Sequence, residues 1–139
     1  MKKTNNKGFS LVELIIVIAI MAILVGVLAP QYLKYVEKSK VSADKDLLDS
    51  IYSACTTASS DPDVVNVGVP APSQTDVSSS IATTNTWGSA VLDSLNNSTF
   101  ASVTAKLKSK SCKGSAVTVA TDANGNFTVS CGGISIPEK

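Results

Sequence analysis

From Phe9 to Ala29 the chain runs for 21 residues with a single charge, Glu13. As a helix rising about 1.5 Å per residue, this run spans roughly 31 Å, close to the hydrocarbon thickness of a bilayer. Ile, Val, Leu and Ala fill nearly every position, so no face is polar. A helix that is apolar all round belongs in lipid or in a bundle core. A lone carboxylate at the centre of such a helix costs about 2.5–3.5 kcal/mol on insertion scales. Glu13 therefore points to a task that needs a negative charge in an apolar setting. Lys2, Lys3 and Lys7 precede the run. By the positive-inside rule they leave the N-terminus in the cytoplasm and the rest of the chain outside.

Three readings compete for this segment. The first is a plain N-terminal anchor. The second is a secretory signal peptide, for which Val27-Leu28-Ala29 offers small residues at a cleavage site. Against it, Pro30 would follow the cut directly, and the run exceeds the usual apolar region of roughly 7–15 residues. Neither reading accounts for Glu13 or for the Gly8-Phe9 junction.

The third reading rests on Gly8-Phe9-Ser10-Leu11-Val12-Glu13-Leu14-Ile15 and on Pro30. This pattern resembles the class III signal of type IV prepilins and pseudopilins, over about residues 1–40. The resemblance implies that a prepilin peptidase cuts between Gly8 and Phe9 and methylates the new terminus at Phe9. It implies that Glu13 is the family's glutamate, five residues into the mature chain, and that Pro30 is the proline that kinks the family's helix. It also implies a pilin-like α+β fold: a long N-terminal helix, half in the membrane and half packed on a small antiparallel β head. The residues themselves suit such chemistry. Gly8 has no Cβ, so a protease can approach the backbone closely. Cleavage would free an α-amine on Phe9, with a pKa of about 8 in model peptides, largely protonated at neutral pH. That amine is a natural partner for Glu13 of a neighbouring subunit, or for Glu13 of the same helix. Pairing in a low-dielectric bundle would set the register between subunits, although desolvation offsets much of the gain.

Pro30 removes an amide donor and clashes with the carbonyl four residues back, that of Gly26. A kink or a locally melted stretch over 26–30 is expected. From Gln31 the helix becomes amphipathic. Val36, Ala43, Leu47, Ile51 and Ala58 recur at helical spacing, with Leu48, Tyr52 and Cys55 alongside. Lys34, Glu37, Lys38, Lys40, Asp44, Lys45, Asp46 and Asp49 fall on the other faces and read as a solvated surface. One continuous helix from about Phe9 to Ser59 is expected.

Residues 56–86 are rich in Ser, Thr, Pro, Asp and Asn. Asp61-Pro62-Asp63 and Val69-Pro70-Ala71-Pro72 end the helix and mark a solvated loop. Trp87 to Asn96 reads as a short helix with Trp87, Val91, Leu92 and Leu95 on one face. A second helix is expected from Ser98 to Lys110, with Phe100, Val103 and Leu107 inward. Ala116–Thr121 and Asn126–Cys131 alternate around an Asn124-Gly125 turn, a strong hairpin signal. Val117, Val119, Phe127, Val129 and Cys131 then share the inner face, and Ile134 and Ile136 add an edge segment. Asp122 to Asn126 faintly evokes a calcium loop but lacks the spacing and distal glutamate of an EF-hand, so a turn is the favoured reading.

Three cysteines allow three pairings, and sequence alone does not choose among them. The resemblance to pilins, many of which carry a C-terminal disulfide loop, favours Cys112 with Cys131. Simple hairpin register, however, sets Cys131 opposite Val117. The chain has no histidine, which excludes histidine-based triads and histidine metal sites. No phosphate-binding glycine loop or paired-acid site appears, so no cofactor is expected. Loss of residues 1–8 with their three lysines takes the formal net charge from +1 to −2, which gives no indication of nucleic acid as a ligand.

The expected organisation is a leader over 1–8, a transmembrane and assembly helix over 9–30, an amphipathic continuation over 31–59, and a globular head over 60–139. The expected role is structural rather than enzymatic: a homo-oligomeric filament subunit served by a prepilin peptidase, a platform membrane protein and an assembly ATPase. The subunit would wait in membrane lipid before joining an extracellular pilus or pseudopilus. The rivals are a pseudopilin of a type II secretion or competence system and, of a different class, a membrane-anchored extracellular binding module.

Overall fold

A computed structural model describes residues 7–67, 75–76, 86–97 and 99–138. The chain divides into two units, Met1–Val36 and Glu37–Lys139. Helix α1 covers Leu11–Ser59, close to the extent expected, and residues 7–10 before it have no regular structure. The helix is unbroken through Gly26 and Pro30. Of the kink or melted stretch expected there, the melted stretch is not formed. One proline costs a single amide donor, and the flanking turns hold the rest of the ladder.

In the second unit, α1 stops at Ser59 and α2 (Pro62–Val67) follows at once. The Asp61 carboxylate accepts the backbone N–H of Asp63 at 2.9 Å. Asp61 thus acts as an N-cap, with Pro62 in the first helical position, where a missing N–H costs nothing. The loop expected over 56–86 is corrected at this end: the Asp-Pro-Asp that stops one helix starts the next. The Val69–Pro72 segment lies outside the described residues. Strand β1 (Thr75–Asp76) precedes α3 (Thr86–Ser94), which buries Trp87, Val91 and Leu92 as expected. Helix α4 is shorter than the sequence indicates, Phe100–Thr104, with the Thr99 hydroxyl as N-cap. It still buries Phe100 and Val103.

Strands β2 (Thr118–Thr121), β3 (Phe127–Cys131) and β4 (Ile134–Ile136) complete an antiparallel sheet in the order β1-β2-β3-β4. The hairpin register pairs Thr118 with Ser130 and Thr121 with Phe127. Val117, Val119, Phe127, Val129 and Cys131 are all buried, which matches the inner face read from the alternation. They join Leu48, Ile51, Ala54, Cys55 and Ala58 of α1 and the buried residues of α3 and α4 in one apolar cluster. Trp87 ties three elements together. Its indole N–H donates to the Ser59 hydroxyl at 2.9 Å, and its ring stacks on Phe127 with centroids 6.1 Å apart.

Candidate processing and assembly site

The first unit places the motif residues plainly. Phe9 is 92% exposed, and a Cβ built on Gly8 would meet nothing within 4 Å. Packing among the described residues therefore gives no reason for a glycine at position 8. Glu13 bends back one turn, and its Oε2 accepts the backbone N–H of Ser10 at 2.9 Å. This is half of a capping box, Ser-x-x-Glu, in which the glutamate satisfies a donor at the helix start and sits favourably at the positive end of the helix dipole. The Ser10–Glu13 spacing was a readable signal that the apolar context concealed.

Beyond Glu13 the apolar side chains have no cover. Leu14, Ile15, Ile16, Val17, Ile18, Ile20 and their successors to Leu28 are exposed. Gly26 also meets open space. By length and composition, α1 is able to cross a membrane. Its exposed surface suits lipid or other apolar helices.

In the second unit α1 carries a device that the sequence reading misplaced. Asp44 was expected on the solvated face, but only 1% of it is exposed. Its two carboxylate oxygens accept the backbone N–H groups of Lys108 and Ser109, each at 2.8 Å. One turn pair earlier, Glu37 accepts the N–H of Lys110 at 2.7 Å. Two carboxylates seven residues apart on one helix face thus clasp three successive amides. Helix α4 has already tightened before this point, since the Lys106 and Leu107 N–H groups bond the Val103 and Thr104 carbonyls three residues back, and the clasped amides of residues 108–110 cannot resume it. Burial pushes the Asp44 carboxyl up. Hydrogen bonds from the Ser109 hydroxyl and the two N–H groups, with the Lys108 charge, outweigh it and hold the group below the usual carboxylate range. The signal was legible: Asp44 lies four and seven residues before Leu48 and Ile51, on the stripe that is buried. Ala43, placed on that stripe from sequence, is exposed.

The clasp leads directly to the cysteines. Ser109 Oγ accepts the Cys112 N–H at 3.2 Å. The Cys112 thiol lies 3.2 Å from the Cys131 carbonyl oxygen, and the Cys131 thiol lies 3.7 Å from the Cys112 carbonyl oxygen. The turn before β2 brings Cys112 beside Cys131, which hairpin register alone does not do. All three cysteines are buried thiols. Cys55 stands in the core, where burial pushes its thiol up to about 12. Cys131 is likewise raised to about 12 by burial, by the adjoining Cys112 and by the Asp44 charge.

The loop 122–126 is a turn. The Asp122 carboxylate accepts from the Asn124 and Asn126 backbone N–H groups, each at 2.8 Å, and from the Asn126 amide at 3.0 Å. Those hydrogen bonds hold the carboxyl below its ordinary range.

Residues 3–29 match the prokaryotic N-terminal methylation motif. Among curated proteins, the type IV major pilin protein PilA of Myxococcus xanthus is 42% identical over 50 residues, covering 36% of this chain and 23% of that protein. The type IV major fimbrial protein FimA of Dichelobacter nodosus is 50% identical over 40 residues, covering 29% of this chain and 26% of FimA. The chain is therefore matched to about a quarter of the length of these relatives. No solved structure matches. The methylation-motif match takes in Gly8, Phe9 and Glu13.

Proposed function

We propose that the chain is a structural subunit of a type IV pilus or pilus-like filament, with no catalytic role of its own. A prepilin peptidase would cut after Gly8 and methylate Phe9, and the subunit would wait in the cytoplasmic membrane with its head outside. Residues 1–8 are then the leader, 9–30 the membrane and assembly helix, 31–59 its continuation, and 60–139 the remainder of the head. Assembly into a homo-oligomer would engage a platform membrane protein and an assembly ATPase.

The observation that carries this reading is the methylation-motif match over residues 3–29, set on an apolar helix with no cover of its own. Two further features support it. Gly8 and Gly26 both stand in open space, so their small size serves something outside the chain: an approaching peptidase at Gly8, a neighbouring helix at Gly26. Glu13 is satisfied by Ser10 in the single chain. A free Phe9 amine, from a neighbour or from the same chain, offers a charged partner in place of that neutral donor. A kink at Gly26 and Pro30 would belong to the assembled filament. Cys112 and Cys131, already adjacent, would join as a disulfide in the oxidising space outside the membrane.

The test is the N-terminal peptide, determined by mass spectrometry from membranes and from a sheared surface fraction. A peptide starting at methylated Phe9 in the sheared fraction is the expected result. A start at Met1 in both fractions, or at Pro30, overturns the reading.

A further inference from the structure

Between Glu13 and Glu37 the sequence has one charged residue, Lys34, and no carboxylate. Lys34 stands between Tyr32 and Tyr35, just past the apolar run that ends at Ala29. Tyr32 is 68% exposed and Tyr35 69%, so neither ring serves the core. Gln31 and Lys34 are exposed as well. Helical spacing gathers the four. Gln31, Lys34 and Tyr35 fall at i, i+3 and i+4, and Tyr32 lies three residues before Tyr35. Gln31, Lys34 and Tyr35 line one surface recess of about 260 Å³. All four residues belong to the first unit.

Each phenol joins an apolar ring to an O–H that donates a hydrogen bond. Rings of this kind settle where hydrocarbon meets the headgroups. Lys34 likewise lays an apolar stem along the helix and carries its ammonium outward to water or headgroups. A phosphate diester offers acceptor oxygens and a negative charge, and its hydrogen bonds from an ammonium exceed neutral ones in strength. A neighbouring helix suits the recess less well. Packed there at the same height, a second copy would bury the ammonium and supply no carboxylate to it, a costly arrangement.

We propose that Gln31, Tyr32, Lys34 and Tyr35 form a collar that holds the phosphate of an anionic phospholipid at the outer face of the membrane. The inference rests on the membrane stage of the filament reading and names the lipid group met there. A resting depth follows from it. Tyr32 lies nineteen residues after Glu13, roughly 28 Å at about 1.5 Å per residue. The hydrocarbon layer is about 30 Å thick. With Tyr32 at the outer boundary, Glu13 falls at the inner one, away from the centre of the bilayer where a carboxylate is costly. The collar and the glutamate thus bracket the hydrophobic layer.

The experiment places full-length protein, with isotope-labelled carbon in its tyrosine rings, in phosphatidylglycerol vesicles. Solid-state NMR then reads the loss of carbon signal to nearby phosphorus. A phosphorus effect is expected that survives Tyr52→Phe, disappears in Tyr32→Phe/Tyr35→Phe and falls at least twofold in Lys34→Gln. In protein labelled at the glutamate carboxyls, a second phosphorus effect is expected that disappears in Glu13→Gln. No effect at Tyr32 and Tyr35, or one unchanged in Lys34→Gln, overturns the collar. No effect at Glu13 overturns the resting depth. An equal effect from inorganic phosphate in a detergent free of phospholipid overturns the lipid assignment. A methylated Phe9 terminus in sheared filaments, found beside any of these failures, would leave the filament reading standing.

Discussion

Both oxygens of Asp44 are spent on the backbone of the chain's second half, the Ser109 N–H lying 2.8 Å from one of them. The partners are 65 residues apart in sequence. The Ser109 hydroxyl extends the link to the Cys112 N–H, so a helix carboxylate orients a cysteine it does not touch. Replacing Asp44 by Ala leaves the Lys108 and Ser109 amides without acceptors. A buried donor left unsatisfied costs about 1–3 kcal/mol. A loss of that size or more is expected in the unfolding free energy of the detergent-solubilised chain, read by chemical denaturation.

The same carboxylate sets an acid response. Its folded pKa lies below the unfolded value, which is about 3.9 for Asp. Its stabilisation is fully present above the unfolded value and is lost as pH falls through the folded one. Asp44→Asn is expected to flatten the stability profile below about pH 4 while leaving the slope near pH 7 unchanged. An unchanged acid limb in denaturation curves from pH 2 to 7 would contradict the clasp.

Gly132 has a different kind of necessity. Its φ is +54°, and a Cβ there would lie 1.8 Å from the Ser111 carbonyl oxygen. That contact is with backbone, which cannot rotate away as a side chain can. Gly132→Ala should cost at least about 2–3 kcal/mol, since strain and overpacking act together. Gly125→Ala meets no atom within 4 Å, only an unfavourable φ of +83°, and should cost less. Comparing the two melting temperatures checks the ranking.

Trp87 combines area with one polar tether. Trp87→Phe keeps a ring to stack on Phe127 and loses the bond to Ser59. A loss of about 1 kcal/mol is expected for the hydrogen bond, against about 3–5 kcal/mol for Trp87→Ala. Equal losses in the two variants would mean that the stacking carries little.

For Glu13 the expected outcome concerns assembly. Glu13→Ala removes one helix cap, worth about 1 kcal/mol, and leaves the apolar run intact for the membrane. Membrane-bound subunit should persist while sheared filaments fall by tenfold or more, measured by quantitative immunoblot of both fractions. Loss of the membrane pool instead would give Glu13 a role in insertion or folding.

The cysteines yield a direct readout. Cys55 is fully buried with its thiol raised to about 12, so almost no thiolate exists at pH 8. Iodoacetamide should leave Cys55 unmodified until the chain is unfolded. Non-reducing peptide mapping of exported protein should show Cys112 joined to Cys131, whose thiols each lie against the other's carbonyl; a link from Cys55 to either would contradict this pairing.

The N-terminal half was legible because its information is local. Apolar length, the glycine-phenylalanine junction, one glutamate and one proline lie in a row, and their meaning needs no distant partner. The hairpin was legible for the same reason, since alternation and Asn124-Gly125 define it within sixteen residues of sequence. Asp44 was not, because a carboxylate among charged neighbours looks solvated until the amides of Lys108 and Ser109 arrive. The path of residues 108–110 was hidden by the same contact: local spacing favoured helix to Lys110, and two distant carboxylates take those three amides instead. The sequence by itself determined the apolar helix and the strand pairing, where periodicity and turn chemistry act over a few residues. Only the tertiary structure decided which charges are buried, where Cys112 sits and which height along α1 holds residues 108–110. Each of those depends on a long-range hydrogen bond that local pattern does not contain.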